Sequence, residues 1–376
     1  MIYLDSAATS FYKPESVQTA VLEAMRTMAS PGRGAHAPAM RAAECCFSCR
    51  EAIAALFHVP QPEQIVFTFN ATHALNIAIR SLVREGTHVL ISGYEHNSVT
   101  RPLYALGAEV HVIETPLFAP EEFLLRAGEW MDWADVVVCT HVSNVFGYVL
   151  PMDALADQCA AADVPLIIDA SQSAGTLELD FSALGAAFAA MPGHKGLMGP
   201  QGTGILLCKN DAFPLLYGGS GSASLSQAMP EFLPDRLEAG THNMCGIAGL
   251  LAGVQYVQSR TCAGIRERER LLMDRFTQQL NGLHGLRMFL SPDPALQTAV
   301  LSAIPEKTDP DAFADALGAE GVAVRSGLHC APTAHHTAGT LSSGTVRFSF
   351  SPFNTERQID RAAEICRKIL KNAVFF

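Results

Sequence analysis

Several residues that stand where apolar runs give way to turn-forming sequence could do chemistry together. Lys195 lies in Met191-Pro192-Gly193-His194-Lys195-Gly196, followed by the glycine-rich stretch Gly199-Pro200-Gln201-Gly202-Thr203-Gly204. An amine there, where glycines let backbone come close, is placed to meet a ligand and to form a Schiff base with a carbonyl. Taken alone it also reads as a solvated lysine on a turn. Asp169 closes the apolar run Ile167-Ile168-Asp169, 26 residues earlier. A carboxylate at the end of a buried strand is costly unless it faces a cation, and a protonated pyridine nitrogen is such a cation. Taken alone it reads as a helix N-cap. Val66-Phe67-Thr68-Phe69-Asn70-Ala71-Thr72-His73 passes from strand straight into helix, and free N–H groups with the Thr72 hydroxyl beside them suit a phosphate ester. An N-cap threonine is the plain alternative. His96, in Ser92-Gly93-Tyr94-Glu95-His96-Asn97, brings an aromatic heterocycle to the same edge, where it could stack on a planar ring. A Schiff-base amine, a pyridinium partner, a phosphate site and a stacking ring together describe a pocket for pyridoxal 5'-phosphate (PLP), whose ring is an electron sink when its nitrogen stays protonated.

These residues, in this order, resemble the class V aminotransferase family of fold-type I PLP enzymes, and within it the cysteine desulfurase branch that includes selenocysteine lyases. The resemblance runs from Tyr3-Leu4-Asp5-Ser6-Ala7-Ala8-Thr9 to Phe353-Asn354-Thr355. It implies that Lys195 holds PLP as a Schiff base, Asp169 pairs with the ring nitrogen, Gln172 bonds the ring hydroxyl and His96 stacks on the ring. By the same likeness Ala71, Thr72 and His194 hold the phosphate, and Asn144 in His141-Val142-Ser143-Asn144-Val145-Phe146-Gly147 lies beside ring and substrate. Glu238-Ala239-Gly240-Thr241-His242-Asn243 resembles a segment that crosses a dimer, which implies a homodimer with Thr241 at the partner's cofactor phosphate. Two positions depart from the pattern. Pro192 replaces a Ser or Thr before Gly-His-Lys and offers neither hydroxyl nor N–H to the phosphate; Ser6 replaces an Asn.

Val324-Arg325-Ser326-Gly327-Leu328-His329-Cys330-Ala331-Pro332 resembles the loop that carries the desulfurase nucleophile. Cys330 would attack the substrate sulfur as thiolate, and cationic surroundings would raise its thiolate fraction. Arg347 matches the arginine that grips the substrate carboxylate, a task for which guanidinium geometry suits. The implied reaction takes L-cysteine to L-alanine and leaves a persulfide on Cys330 for an acceptor protein or a reductant, with Lys195, Cys330 and His96 as catalytic residues. The alternatives are a selenocysteine lyase or other β-lyase, an aminotransferase, or a PLP-binding scaffold without turnover. His329, Cys330, His335 and His336 could instead ligate a metal, but their crowding in one short loop lies below the nearest zinc spacings, and no metal is expected.

The elements that must position these residues are legible as periodicity. Strands are predicted at Ile65–Phe69, His88–Ser92, Glu109–Ile113, Val136–Thr140, Leu166–Asp169, Ala186–Met191 and Gly204–Cys208, with helices at Leu75–Val83, Val99–Leu106 and Leu155–Ala162 between them. That alternation is an α/β domain with a mainly parallel sheet. After Gly240 come helices at Ile247–Val257 and Ile265–Leu283, strands Leu286–Leu290 and Ala299–Ala303, helix Asp311–Glu320, strands Val322–Ser326 and Val346–Phe350, and a final helix Glu356–Lys371. The expected division is a large PLP-binding domain over 16–246 and a small α+β domain from 1–15 with 247–376.

Composition agrees with a packed enzyme: 376 residues, 49% hydrophobic and 17% charged. A net charge of -11 without a basic cluster argues against nucleic acid. Nothing reads as a secretory signal or a bilayer span, and the ten cysteines lack framework spacing, so they are expected to stay thiols in a cytoplasmic protein. Cys46-Phe47-Ser48-Cys49 falls in a helical stretch and lacks the turn of a redox C-x-x-C.

Overall fold

The computed structural model describes residues 1–31, 34–209 and 211–372. Among these described residues, thirteen strands and twelve helices succeed one another. After β1 (Ile2–Tyr3) come helices α1 (Glu15–Thr27) and α2 (Ala37–Phe57). Then β2 (Ile65–Thr68), α3 (Ala71–Leu82), β3 (His88–Ser92), α4 (Asn97–Leu106), β4 (Glu109–Ile113), α5 (Pro120–Trp130), β5 (Val136–Thr140), α6 (Met152–Ala161), β6 (Leu166–Asp169), α7 (Phe181–Leu184), β7 (Phe188–Pro192) and β8 (Gly204–Cys208) build the main sheet and its helices. Helices α8 (Met244–Arg260) and α9 (Cys262–Leu280) lead to β9 (Leu286–Met288), β10 (Val300–Pro305), α10 (Pro310–Ala319), β11 (Val322–Ala323), β12 (Arg325–Gly327), α11 (Pro332–Thr337), β13 (Thr345–Ser349) and α12 (Glu356–Asn372).

The main sheet has seven strands in the order β2-β8-β7-β6-β5-β3-β4. Strands β4, β3, β5, β6 and β7 run parallel, and β8 is antiparallel to both β7 and β2. Strands β5 to β8 are buried along their whole length. Burial on both faces is why they read as continuous apolar runs instead of alternating ones. One apolar cluster lies on each face: Leu90, Val137, Ile168 and Ala189 face one, and Val89, Val138, Ile167 and Phe188 the other. The parallel strands end with Ser92, Thr140, Asp169 and Pro192 at a common edge, the place where open α/β sheets bind ligands.

A second sheet, β12-β13-β10-β9, is antiparallel and packs on α9, α10 and α12 through Leu272, Phe276, Phe313, Phe348 and Ile359. The amino terminus joins this second body, because Ile2 and Tyr3 pair in parallel with Val322 and Ala323. That pairing corrects the single strand expected at Val322–Ser326. The segment breaks at Val324, with β11 binding the amino terminus and β12 binding β13. The reason is tertiary: two different partners claim the two halves, which no local periodicity reports.

Helix bounds shift by up to a turn from the expected ones. Helix α3 begins at Ala71 instead of Leu75 because Asn70, not Thr72, is its N-cap; the Asn70 side chain accepts from His73 N–H at 2.9 Å. The Cys46/Cys49 pair lies within α2 as expected, and burial pushes the Cys46 thiol up to about 12. All ten cysteines are free. No helix among the described residues is long and apolar enough to cross a membrane.

Candidate active site

The carboxyl-end edge of the main sheet opens into a cavity lined by Ala71, Thr72, His96, Asn144, Asp169, Gln172, His194 and Lys195, together with Asn70, Ser98 and Ser171. Eight of the residues expected to hold the cofactor, drawn from five stretches of chain, thus face one space. Asp169 is 3% exposed at the end of β6, and its Oδ1 accepts the Ser171 N–H at 2.9 Å. Lys195 lies just beyond β7. Burial lowers its ammonium to about 8, with Arg347 and Arg325 acting in the same direction and Asp169 opposing them. A buried amine that releases its proton near neutrality suits nucleophilic and base chemistry.

His96 caps α4 and accepts the Ser98 N–H at Nδ1, 3.0 Å away. Burial lowers its ring to about 4 against the pull of Asp169, so the imidazole is neutral. His194 is likewise held neutral, lowered to about 4 by burial and by the neighbouring Lys195 and Lys13. Its Nδ1 lies 3.0 Å from Thr9 Oγ1. The amino-terminal segment crosses the lysine loop here: Ser10 Oγ donates to the carbonyls of His194 and Lys195 at 2.9 and 3.1 Å. Gln172 Nε2 donates to Ala7 O at 3.0 Å. The loops approach closely enough that a Cβ on Gly204 would stand 2.5 Å from the carbonyl carbon of Asn70, which is why glycine opens β8 beside the helix terminus.

Arg347, on β13, is 1% exposed and already partnered. Its Nη2 lies 2.8 Å from Asp5 Oδ1, and its Nη1 donates to Asn144 O at 2.9 Å, while Nε has no partner among the described residues. Asp5 was missed as a site residue; the only signal was its place in the opening Leu4-Asp5-Ser6 stretch. Cys330 is exposed on the turn between β12 and α11. Both His329 and Cys330 have left-handed backbone, φ 50° and 56°, a conformation that costs a non-glycine residue about 1–2 kcal/mol. Bonds to three of its carbonyls hold the turn against that strain: Asn144 Nδ2 to His329 O at 2.9 Å, Asn97 N to Cys330 O at 2.8 Å and Ala331 N to Leu328 O at 2.8 Å. The fourth neighbour is Arg325, whose Nη2 is 3.6 Å from Cys330 Sγ. Arg325 is the cation expected near the thiol, and the sequence alone does not single it out.

Thr241 and the histidines around Cys330 lie apart from this cavity. His336 pairs with Glu114 at 3.0 Å on the surface, whereas His329 and His335 are buried under the turn. Thr241 is exposed and does not line the Lys195 cavity of its own chain. It lines another cavity with Cys46, Glu63, Glu238 and the buried Arg50, which is paired with Glu238 at 2.5 Å.

With this geometry in place, comparison with known proteins is decisive for the family. The pattern described as aminotransferase class-V matches residues 2–362. The chain belongs to the class-V aminotransferase family. Among its class-V relatives, a probable cysteine desulfurase of Methanothermobacter thermautotrophicus is 33% identical over 385 residues, covering 98% of this chain and 94% of that protein. The apo structure of the cysteine desulfurase from Thermococcus onnurineus NA1 superposes with a TM-score of 0.90 at 28% identity, covering 99% of this chain and 95% of the other. The cysteine desulfurase CsdA of Escherichia coli, solved with an S-sulfonic acid, gives 0.84 at 25% identity over 99% and 95%. This chain therefore shares its fold with both solved cysteine desulfurases, and the expected fold-type I architecture stands.

Proposed function

We propose that this chain is a PLP-dependent cysteine desulfurase that converts L-cysteine to L-alanine and receives the sulfur on Cys330. The observation that carries the reading is the pairing of two features at one edge: a cavity holding Lys195 and Asp169, and an exposed thiol on a turn bonded to Asn97 and Asn144, with Arg325 3.6 Å from its sulfur. Desulfurase relatives over nearly the whole chain support it.

The residues of the cavity fit the cofactor. The N–H groups of Ala71 and Thr72 open α3 without a helical acceptor and suit a phosphate dianion. Asp169, nearly buried, suits a pyridinium N–H. His96 is a neutral ring suited to stacking. Bound there, PLP supplies the electron sink for the pair left on Cα. Lys195 would hold the cofactor, and its amine, whose proton affinity burial lowers, is suited to taking the Cα proton. Arg347, fixed by Asp5 and Asn144, and Arg325 supply the positive field for the substrate carboxylate. Cys330 Sγ attacks the substrate sulfur as thiolate: an S–S bond forms, the Cβ–S bond breaks with its electron pair left on carbon, and Cβ takes up a proton to become the methyl of alanine. The persulfide leaves by transfer to an acceptor protein or by reduction.

The reading places the protein in the cytoplasm as a homodimer, with Thr241 serving the partner's phosphate. It divides the chain into a large domain over 16–246 and a small one from 1–15 with 247–376. The test is alanine formation from L-cysteine by the parent and by Cys330→Ser. The variant is expected to lose alanine formation at least about a hundredfold while still binding PLP, and to keep much of its activity on selenocysteine, whose weaker C–Se bond breaks without nucleophilic help. Undiminished consumption of cysteine by Cys330→Ser would return the protein to a general β-lyase, and a keto acid that keeps the substrate's sulfur would make it an aminotransferase.

A further inference from the structure

Pro192 ends β7 in the wall of the Lys195 cavity and brings neither a hydroxyl nor an N–H to it. A different hydroxyl occupies the same wall. Ser98, in the first turn of α4, places its Oγ 2.8 Å from Thr72 Oγ1 and 2.9 Å from His96 Nδ1. Its N–H also donates to that Nδ1, at 3.0 Å. A ring nitrogen that accepts a backbone N–H carries no proton of its own, so the His96 proton sits on Nε2. One side chain thus touches both the helix terminus suited to the phosphate and the ring suited to stacking.

We propose that Ser98 is a positioning residue for the cofactor, backing the Thr72 hydroxyl in a wall where Pro192 offers none and tying the phosphate end of the cavity to His96. This rests on the reading of the cavity as a PLP site. The direction of the bonds follows from counting protons, since each hydroxyl has one. With no anion present, Thr72 donates to Ser98 and Ser98 donates to His96 Nδ1. A phosphate dianion only accepts, so Thr72 turns its O–H to the phosphate and Ser98 turns its own to Thr72 Oγ1. Each donor in that chain polarises the next. Throughout, the Ser98 N–H stays on Nδ1, and His96 keeps its tautomer and its tilt. Ser171 is the rival hydroxyl in the same cavity, with its N–H committed to Asp169.

The experiment titrates cofactor-free parent, Ser98→Ala, Ser98→Thr and Ser171→Ala with PLP and reads the dissociation constant by absorbance, alongside the melting temperature of each cofactor-free protein. Losing the hydrogen bond that turns Thr72 toward the phosphate should weaken PLP binding by about fivefold in Ser98→Ala, with Ser98→Thr restoring it to within about twofold of the parent. The melting temperature of cofactor-free Ser98→Ala should fall only slightly, because the hydroxyl bonds it loses are exposed or part-buried and the N–H bond to His96 remains. The proposal is overturned if Ser98→Ala binds PLP as tightly as the parent, if Ser98→Thr is as weak as Ser98→Ala, or if only Ser171→Ala loosens the cofactor. Failure of the parent itself to take PLP onto Lys195 would sink the cofactor reading instead, and is seen before any variant is compared.

Discussion

At Lys195, burial, reinforced by Arg347 and Arg325, outweighs the attraction of Asp169, and the ammonium gives up its proton near 8 instead of 10.5. The neutral amine is the form that attacks a carbonyl, so its fraction sets how fast the cofactor-free protein couples to added PLP. That rate should rise through pH 8 and level off above it; a rise that continues toward 10.5 would show a solvated lysine. Borohydride reduction and then peptide mapping should find the label on Lys195, and Lys195→Ala should lose at least about a thousandfold in turnover. His96 and His194 are expected to contribute no titration between pH 5 and pH 8, since burial lowers both to about 4.

At the scale of elements, the ends of β3 and β5 are locked together by one buried carboxyl. Glu95 is fully buried; its Oε1 accepts the Thr140 N–H at 2.7 Å and the Ser92 hydroxyl at 2.5 Å, while Oε2 has no partner among the described residues. Burial raises it from 4.5 to about 8. Between those values the native protein holds a proton that the unfolded chain releases. The contribution of Glu95 to stability is therefore full below pH 4.5, declines as pH rises and is gone above 8. Glu95→Gln copies the protonated shape, so its melting temperature should depend less on pH between about 5 and 8 than the parent's. Glu95→Ala leaves the Thr140 N–H without an acceptor and should cost about 1–3 kcal/mol in a denaturant melt. A parent melting temperature that climbs across the same window would contradict the assignment.

Over the whole molecule, the exposed Thr241 lines a cavity that does not include Lys195, so its proposed service to a phosphate requires a second chain. Dimerisation and cofactor retention should then be linked. On dilution, sedimentation and absorbance should show PLP leaving as the dimer parts, and Thr241→Val should weaken PLP binding several-fold without changing the dissociation constant of the cofactor-free dimer. A monomer that keeps its cofactor would remove Thr241 from the site.

The amino-acid sequence by itself determined the elements and the edge at which the chemistry gathers, because strand and helix periodicity, buried apolar runs and glycine-rich turns are local properties. Lys195, Asp169, Thr72 and His96 each stand at or just past the end of a strand, and parallel strands deliver their carboxyl ends to the same side. Resemblance added Cys330 and Thr241, which periodicity does not single out. Only the tertiary structure decided the contacts between distant segments: Asp5 on Arg347, the amino-terminal Ser10 against the Lys195 loop, Arg325 beside Cys330, and Ser98 between Thr72 and His96. It also divided Val322–Ser326 between two sheets. Each of these depends on which strand lies beside which and on where two bodies meet, and a pairing across 342 residues leaves no trace in the spacing of either partner.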